Sequence, residues 1–526
     1  MAAIPQRTKY EIAASNGGAV MKNMTLRKIA EAVDGVLHIG GRTSAADADT
    51  AEAEGVVLDS RKVGKDFVFI ATRGERVDGH SFIGQVFNAG ALGVICERAP
   101  EDPGGAYIVV RDSFQALKDL AEYYRRQLDI RVVGITGSVG KTSTKEFVAS
   151  VLSKGFRVLK TEGNFNNEVG LPLTVLQIRE DCEIAVLEMG ISDFGEMHRL
   201  SRIARPDVCV ITNIGQCHLE NLGTRDGILR AKTEIFDHMQ EGGRICLNGD
   251  DDKLVTIREV RGSVPVFFGN GDNCAVCADH YENRGLMGSR AQIHVRETVG
   301  KAEAEMAFTA EIPLPGEHML YNALAATTVG VLFGLKAQQI RAGIREVEAV
   351  GGRSHVIRTD RLILIDDCYN ANPVSMKAAI DLLHMTDVSD LAADVSEIAV
   401  ASNAAEVSDT IGLPDSTARQ GRYKNVRKAA ILGDMFELGT DEAALHREVG
   451  IYAAGKDIDV IICVGRLCRN MYDGVRSVGN PSVSPYYYES KEALFADIGE
   501  IIRDGDIVLV KASHGMHFEE IIERLS

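Results

Sequence analysis

The sequence predicts an α/β protein of three domains, in which a central parallel sheet is flanked by a small N-terminal α/β domain and a C-terminal Rossmann-like domain. The chain has 526 residues, which is too long for one hydrophobic core when a domain typically holds roughly 100–200 residues. Apolar strands alternate with helical stretches through the middle of the chain, and the alternation restarts after Gly351 and Gly352. Such alternation is typical of parallel sheets with helices on both faces.

Composition and charge narrow the class of protein. Hydrophobic residues make up 45% of the chain and charged residues 25%, as in ordinary folded proteins. The formal net charge is −17 and the pI is near 5.3. Nucleic-acid binders hold the phosphate backbone with clustered Lys and Arg. We therefore expect no nucleic-acid partner.

The cysteines and the first residues predict a protein of the cytoplasm. Ten cysteines are scattered along the chain, and their one close pair, Cys274 and Cys277, has no second pair or His pair at metal-ligand spacing, which favours free thiols over a structural zinc site. No run reaches the ~20 apolar residues that span a bilayer, and the N-terminus lacks the apolar middle of a signal peptide. We expect no membrane insertion, a loose extension over residues 1–23, and a monomer.

The first domain is predicted over residues 24–129. Its first structured segment begins at Leu26, and short apolar runs (VVL, FVFI and LGVIC) follow between Gly55 and Cys96. The stretch SFIGQVFNAGA between two of these runs is typical of a helix. A longer helix around residues 114–128 leads into the next domain.

The central domain is predicted over residues 130–349. The apolar strand IRVVGIT opens it, and EIAVLE (183–188), VCVITN (208–213) and RICLNG (244–249) follow with helical stretches between them. This is the pattern of a parallel sheet covered on both faces.

The third domain is predicted over residues 350–526. Its strands are LILIDD (362–367), AAILGD (429–434), VIICVG (460–465) and DIVLVKAS (506–513). Residues 386–425 are acidic, rich in Ser and Ala, and lack a sustained period, so we interpret them as a surface insertion.

The glycine-rich segment TGSVGKTST (136–144) follows an apolar strand and precedes a helical stretch, as a phosphate-binding loop (P-loop) requires. Gly137 and Gly140 allow backbone N–H groups to close around phosphates at the positive end of the helix. Lys141 would reach the terminal phosphates and Thr142 would bind Mg²⁺. The first glycine of the strict pattern is offset by one residue. The alternative, a glycine-rich turn without a ligand, does not account for this strand, loop and helix in order.

Polar residues follow the neighbouring strands, whose carboxyl ends should face the same crevice. These strands end at Thr136, Glu188, Asn213 and Asn248. A carboxylate that ends an apolar strand needs a metal or a Lys partner, so Glu188 is either a metal ligand or part of a structural ion pair. His218, five residues after Asn213, is either a ligand of a second metal ion or a loop histidine. Together these features predict that ATP is used, without identifying its acceptor.

Segments along nearly the whole chain, from about Met24, resemble the Mur ligase family. The N-terminal ones are LDSRKV (58–63) and GERVDGHSF (74–82). The central ones are TEGNFNNEVGLPLT (161–174), LEMG (187–190), TNIGQCHLE (212–220), RAKTEIF (230–236) and LPGEHMLYNALAA (314–326). The C-terminal ones are DDCYNANPVSM (366–376) and LGDMFELG (432–439), followed by His446.

The resemblance implies an ATP-dependent ligase that joins D-alanyl-D-alanine to UDP-N-acetylmuramoyl-tripeptide in peptidoglycan precursor synthesis. A carboxylate is a poor acyl donor until its oxygen becomes a leaving group. The peptide carboxylate would attack the γ-phosphate to form an acyl phosphate, which the amine of the dipeptide then displaces. Lys141 and two Mg²⁺ ions would offset the developing charge.

The resemblance also implies roles for individual residues. The catalytic residues would be Lys141, Glu188, His218 and Lys232. One Mg²⁺ would be held by Thr142 and Glu188, and the other by Glu188, His218 and a carbamylated Lys232. The ATP-binding residues would be Gly137, Ser138, Val139, Gly140, Lys141, Thr142, Ser143, Asn322, Arg353 and Asp366. The substrate-binding residues would be Ser60, Arg61, Asp78, Gly79, His80, Asn166, Asn167, Asn370 and Asn372.

The chain departs from the family where the usual KGSR reads Lys511-Ala512-Ser513-His514, and in the unusual Gln216-Cys217 before His218. We therefore assign no role to His514. Two alternatives remain: another ligase on this core, such as folylpolyglutamate synthase, and a non-enzymatic ATP-gated switch. The first needs no UDP site, and the second needs no set of metal and lysine residues. Because reacting groups would lie on different domains, we also predict domain closure, with hinges near residues 128–131 and 349–353.

Overall fold

The computed structural model describes residues 20–74, 77–101, 103–296, 306–386 and 426–526, and these residues form three sheets of five, nine and six strands. Each sheet carries helices, which confirms the predicted three-part α/β architecture. The domain boundaries at residues 129/130 and 349/350 stay a prediction. No helix in these ranges is both long enough and apolar enough to cross a bilayer.

The first sheet has the order β1-β5-β4-β3-β2 and is parallel except for the β1–β5 pair. Its last helix, α4, begins at Ser113 because the Asp112 carboxylate accepts hydrogen bonds from the N–H groups of Phe114 and Gln115. The strands are β1 Val36–His38, β2 Gly55–Val57, β3 Phe67–Ile70, β4 Gly93–Cys96 and β5 Tyr107–Val109. The helices are α1 Leu26–Ala32, α2 Ala45–Thr50, α3 Ile83–Asn88 and α4 Ser113–Gln127.

The predicted loose extension over residues 1–23 is too long at its C-terminal end. Met21 is fully buried in the first domain, and its N–H donates to the carbonyl of Ala53. Burial of a large apolar side chain and a backbone hydrogen bond both fix this segment. Residues 1–19 of the extension lie outside the described residues.

The central sheet has the order β14-β13-β12-β11-β10-β9-β6-β8-β7. Every neighbouring pair from β7 to β12 in this order is parallel, whereas the β12–β13 and β13–β14 pairs are antiparallel. The strands are β6 Arg131–Thr136, β7 Val158–Lys160, β8 Ile184–Glu188, β9 Val208–Ile211, β10 Arg244–Asn248, β11 Val266–Phe268, β12 Val276–Asn283, β13 Ser289–Val295 and β14 Met306–Ile312.

Helices cover both faces of the parallel part. Successive β6 residues point to opposite sides, so Val132 joins one apolar cluster and Val133 the other. Both clusters exclude water, which explains why the parallel strands are almost wholly apolar. The helices are α5 Lys141–Leu152, α6 Gly170–Val175, α7 Glu196–Ala204, α8 Leu219–Leu222, α9 Arg225–Thr233, α10 His318–Leu332 and α11 Ala337–Arg345.

The antiparallel extension was not predicted. Strand β13 alternates buried and partly exposed residues, because one face packs in the core while the other is open to solvent. This period-two pattern differs from the apolar runs of the parallel strands. The continuous βαβ alternation expected for the central domain is therefore wrong between Val276 and Ile312.

The third sheet has the order β15-β16-β20-β17-β18-β19 and is parallel except for the β15–β16 pair. The predicted insertion over residues 386–425 lies outside the described residues apart from Thr386, which follows the last residue of α12. The strands are β15 His355–Arg358, β16 Ile363–Asp366, β17 Lys428–Gly433, β18 Val460–Val464, β19 Ser484–Tyr488 and β20 Ile507–Lys511. The helices are α12 Pro373–Met385, α13 Glu442–Ala454, α14 Cys468–Val478, α15 Lys491–Ile501 and α16 Glu519–Leu525.

Candidate active site

A cavity of about 1060 Å³ lies between the central and C-terminal domains, at the carboxyl ends of β6, β8, β9 and β10. The central domain contributes the glycine-rich loop, and the C-terminal domain contributes residues such as Tyr369, Asn370 and Lys511. This is where an open parallel sheet binds ligands. The cavity has the size of a small-molecule site and is shared by two domains.

The glycine-rich loop joins β6 to α5 and fits closely against β9. Gly137 has φ +150°, and a Cβ there would lie 1.9 Å from the hydroxyl oxygen of Thr212, so no larger residue fits. Gly140, with φ +81°, directly precedes α5. The N–H groups of Ser138 and Val139 donate to the backbone and side-chain oxygens of Asn213. Asn213 therefore holds the loop at the end of β9, as the strand-end pattern predicts.

Lys141 is the first residue of α5 and lines the cavity. Its Nζ donates a 2.9 Å hydrogen bond to the carbonyl oxygen of Gly137. The ammonium group thus lies over the loop at the positive end of the helix, where negative phosphate oxygens are favoured. A phosphate in the loop would exchange this backbone acceptor for a charged one.

Glu188 is buried at the end of β8 and has partners on several sides. One carboxylate oxygen accepts a 2.8 Å hydrogen bond from the hydroxyl of Thr142, and the other accepts one from the amide of Asn166. Lys145 Nζ lies 3.9 Å away and also contacts Glu146 at 3.2 Å. The expected lysine partner is therefore present. The Thr142 contact also brings together the two side chains predicted to share one Mg²⁺.

Lys232 lies on α9 and is buried, with 1% of its surface exposed. Among the described residues no carboxylate shifts the pKa of its amine. The pKa of Lys232 is about 8 instead of 10.5, mainly because burial lowers it, while Cys217 raises it and Lys141 lowers it to smaller extents. An unpaired buried amine with a lowered pKa does not resemble an ordinary solvated lysine.

His218 lines the cavity and is held by a residue of the other domain. Its backbone has φ +51°. Its buried Nδ1 lies 2.6 Å from a carboxylate oxygen of Glu437, although the approach is not aligned as a hydrogen bond. The neighbouring imidazole lowers the pKa of the Glu437 carboxyl. Sequence reasoning missed Glu437, whose only signal is its place in the segment LGDMFELG.

The four predicted ligands suit magnesium. Thr142 and Glu188 offer the oxygen atoms that this hard cation prefers, and a carbamate on Lys232 would offer more. Such an ion would stabilise the buried Glu188 carboxylate, whereas Lys232 would bind it only as the anionic carbamate. His218 is a less usual magnesium ligand, but it faces the same cavity.

The predicted nucleotide residues are only partly brought together. Asn322 adjoins the loop, and its carbonyl accepts a 2.8 Å hydrogen bond from Thr144. Arg353 lines the cavity and lies 4.0 Å over the ring of Tyr369. Asp366 does not line the cavity, because its carboxylate accepts hydrogen bonds from Gly352 N–H and the Cys368 thiol.

The acidic residue that lines this part of the cavity is Asp367, not Asp366. Asp367 lies 2.7 Å from Lys511 Nζ, which also donates to the carbonyl oxygen of Asn370. Asp366, whose carboxylate was predicted to contact the nucleotide, therefore stabilises the interdomain turn through Gly352. The next residue, Asp367, faces the cavity instead.

The predicted substrate asparagines line the cavity, but most already have local partners. Asn166 binds Glu188. Asn167 accepts from the N–H groups of Val169 and Gly170, and Asn372 caps α12 by accepting from Ser375 N–H. Asn370 accepts from the N–H of the next residue. These side chains shape the wall while retaining other polar atoms for a ligand.

The N-terminal candidates lie apart from the cavity, in turns that follow β2 and β3. Arg61 pairs with Asp59 and lowers the pKa of that carboxyl to about 2, and Ser60 stands between them. Asp78 accepts from the backbone N–H of His80 and lies 2.7 Å from its Nδ1. Gly79 lies within the same turn. The five residues thus lie in two turns that follow neighbouring parallel strands, and none of them lines the cavity.

A separate group of possible metal ligands lies in the C-terminal domain, where Asp434, His446 and Cys468 are buried together. His446 Nδ1 lies 2.7 Å from the carbonyl oxygen of Glu442, and its Nε2 accepts from Met435 N–H. Both ring nitrogens are therefore engaged. The Cys468 N–H donates to Asp434, so this group is a hydrogen-bonded part of the domain core.

Three parts of the chain match Mur ligase family models. Residues 52–132 match the model described as Mur ligase family, catalytic domain. Residues 135–330 match the Mur ligase middle domain. Residues 394–514 match the Mur ligase, glutamate ligase domain.

Relatives match over nearly full length. A Bacillus subtilis protein named UDP-N-acetylmuramoyl-tripeptide–D-alanyl-D-alanine ligase is 36% identical, covering 96% of this chain and 99% of its own. The Escherichia coli protein of that name is 30% identical over the same shares. A crystal structure of MurF from Acinetobacter baumannii aligns with a TM-score of 0.79 at 28% identity, covering 95% of this chain and 98% of its own. MurF ligase from Thermotoga maritima, solved with ADP, aligns with a TM-score of 0.69 at 28% identity, covering 89% and 96%.

Proposed function

Because this chain belongs to the Mur ligase family, we propose that it uses ATP to join D-alanyl-D-alanine to UDP-N-acetylmuramoyl-tripeptide. The near full-length relatives that carry this ligase name support the assignment. The structural observation that carries it is one cavity in which Lys141 of the loop faces Asn370 of the DDCYNANP segment. The product would be a precursor of peptidoglycan.

The reaction begins with the terminal carboxylate of the tripeptide. Its oxygen attacks the γ-phosphorus of ATP, the bond to the β-phosphate oxygen breaks, and ADP leaves. The amine of D-alanyl-D-alanine then attacks the acyl carbon, gives up a proton, and phosphate leaves as the amide forms. Lys141 at the helix end lies where its charge offsets the negative oxygens of both steps.

Thr142, Glu188, His218 and Lys232 would hold two Mg²⁺ ions, which supply positive charge to the phosphates when bound. Thr142 and Glu188 already contact each other at 2.8 Å. Thr142 and Asn166 together fix the orientation of the Glu188 carboxylate. These contacts support a site in which the protein fixes its ligands before the ions arrive.

Lys232 would carry the carbamate. A neutral amine adds CO₂ and loses a proton, which converts a group that repels a cation into an anionic ligand. The buried position and the pKa of about 8 support this modification, because the reactive form is the neutral amine. The ion would in turn stabilise the product.

The acceptor-binding turns around Arg61 and His80 lie outside the cavity, which supports domain closure during turnover. Contacts oppose a free hinge near residues 128–131, since Tyr124 and Arg125 of α4 donate to the carbonyl oxygens of Ile178 and Ala204 in the central domain. The turn at 349–353 is held by a hydrogen bond from Gly352 N–H to Asp366, and it stays a predicted hinge. We expect ligands to change the X-ray scattering curve, and identical curves with and without ligands would contradict closure.

We further propose that the enzyme works as a monomer in the cytoplasm. One chain supplies the loop lysine Lys141, the predicted ligand Glu188 and the segment residue Asn370 to the same cavity. The reaction consumes ATP, which supports that location.

The test is release of ADP and phosphate with each substrate omitted in turn. We expect release only when ATP, the UDP-linked tripeptide and D-alanyl-D-alanine are all present. Equal release with a folate and glutamate would favour a folylpolyglutamate synthase instead. ATP binding without any product from the two acceptors would favour a nucleotide-gated switch.

A further inference from the structure

We propose that Glu437 of the C-terminal domain is a positioning residue that orients His218 of the central domain toward a bound metal ion. Docking of the two domains would then complete the metal site. This inference rests on the metal role of His218 in the proposed function. It adds a residue that acts through the histidine without itself contacting substrate.

The contact joins two loops from different domains. His218 precedes α8 of the central domain, and Glu437 follows β17 of the C-terminal domain. His218 Nδ1 lies 2.6 Å from the carboxylate of Glu437. This nitrogen is buried and has no hydrogen-bond partner within the described ranges. Glu437 is thus the carboxylate that lies against this nitrogen.

Both residues are held in uncommon backbone conformations. His218 has φ +51° and Glu437 has φ +60°, which few residues other than glycine adopt. Such conformations persist where the surrounding structure fixes them, and they cluster at functional sites. Here the conformations aim the two side chains at each other across the interface.

The Glu437 loop is fixed from its own domain. The N–H of Met435 donates to His446, and the N–H of Phe436 donates to the hydroxyl of Ser513. Two residues after Glu437, Gly439 approaches the backbone of Glu220. The loop is therefore held in place by its own domain, and it contacts the segment around His218 across the interface.

The chemistry follows from the two nitrogens of imidazole. A histidine that binds a metal through one nitrogen usually donates its other N–H to a carboxylate, which fixes the tautomer and the ring direction. Once Nδ1–H donates to Glu437 in the metal-bound state, Nε2 would carry the free electron pair. His218 lines the cavity, so that pair is available to an ion there. The present misalignment is of the kind that tightens when a ligand binds.

The experiment measures Mn²⁺, used in place of Mg²⁺, by electron paramagnetic resonance in the full-length protein with a non-hydrolysable ATP analogue. The variants are Glu437→Ala, Glu437→Gln, His218→Ala and the double variant His218→Ala/Glu437→Ala. Glu523→Gln is the control, because Glu523 is an exposed glutamate of the same domain. Thermal unfolding of each variant reports whether the fold is retained.

We expect Glu437→Ala to weaken Mn²⁺ binding by about 10-fold or more, the scale of losses when a carboxylate behind a metal ligand is removed. Glu437→Gln should lose less, because its amide oxygen still accepts from Nδ1–H. In the His218→Ala background the Glu437 change should add nothing. Unchanged affinity in Glu437→Ala, or an equal loss with and without His218, would overturn the proposal.

This test is independent of which amide the enzyme makes. The binding measurement contains neither the tripeptide nor D-alanyl-D-alanine, so failure of those acceptors in the turnover assay would leave its outcome unaffected. The converse result is turnover that requires both substrates while Glu437→Ala leaves Mn²⁺ affinity unchanged. That combination of results would rule out the positioning role and still support the proposed reaction.

Discussion

Thr142 Oγ1 donates a 2.8 Å hydrogen bond to Glu188 Oε2 across the end of the central sheet. Thr142 is the second residue of α5, and Glu188 is the last residue of β8. Two elements that are far apart in the sequence thus place a hydroxyl and a buried carboxylate side by side. A substitution that removes the charge of Glu188 but keeps an accepting oxygen can therefore separate the role of the charge from that of the hydrogen bond.

Loss of a group that supports a metal ligand typically lowers activity by about 10–100-fold. Glu188→Gln should reduce turnover by more than this, because Glu188 is itself a predicted ligand. The amide oxygen still accepts from Thr142 or Asn166, but the negative charge that attracts Mg²⁺ is gone. The measurement is turnover against Mg²⁺ concentration, where we expect the half-saturating concentration to rise. An unchanged Mg²⁺ curve would leave Glu188 with only the structural ion pair to Lys145.

Lys141→Ala should abolish turnover and leave thermal unfolding nearly unchanged. The side chain lines an open cavity and contacts only the Gly137 carbonyl among the described residues, so its removal should cost little packing while removing charge from the phosphates. Lys65→Ala is the matched control, since Lys65 is a highly exposed lysine of the first domain. Normal turnover in Lys141→Ala would refute the loop assignment.

Much of the fold could be predicted because local patterns determine it. The parallel strands are short apolar runs, and the turn at Gly137 and Gly140 precedes a helix in both the pattern and the structure. The antiparallel strands β12 to β14 were missed because their half-exposed residues dilute the apolar signal. Their register depends on pairing with each other, which no local run encodes.

The site was predictable where function depends on single motifs, and less so where it depends on contacts between domains. Lys141 and Glu188 follow strands and can be placed from the sheet alone. Glu437 meets His218 across an interface between segments far apart in the chain, so only the tertiary structure pairs them. Asp367 lines the cavity and Asp366 does not. This difference likewise depends on the directions in which the two carboxylates point at the end of β16.

Gly352→Ala should destabilise the turn between the central and C-terminal domains by about 1 kcal/mol or more. Gly352 has φ +75°, and a Cβ there would lie 3.0 Å from Cβ of Tyr369, whose ring lies under Arg353. Gly351→Ala is the control, because a Cβ at Gly351 meets nothing within 4 Å. Thermal unfolding and turnover check both variants, and equal behaviour of the two would contradict a specific role for the Gly352 conformation.

Reactivation of CO₂-depleted enzyme should become faster as the pH rises from 6 to 8 when the concentration of dissolved CO₂ is held constant. Burial lowers the pKa of Lys232 to about 8, so raising the pH deprotonates the ammonium and increases the reactive neutral amine. At pH 7 about 10% of such an amine is neutral, against well under about 0.1% for an ordinary lysine. The measurement is the rate at which turnover returns in Mg²⁺ after CO₂ addition, with total bicarbonate adjusted at each pH so that dissolved CO₂ stays the same. A rate that falls or stays constant over this range would contradict carbamate formation on a free amine.

Lys232→Ala should lose most turnover and regain part of it when a small carboxylic acid such as acetate or formate is added. Removal of the side chain opens a buried space near Lys141 and Cys217, and a small carboxylate can supply the oxygen atoms that the carbamate would have provided. Lys141→Ala is the control for specificity, because its missing group is a cation that a carboxylate cannot replace. Thermal unfolding separates loss of the ligand from loss of the fold. Full activity in Lys232→Ala without added acid, or density for a bare amine beside two bound ions, would rule out the carbamate.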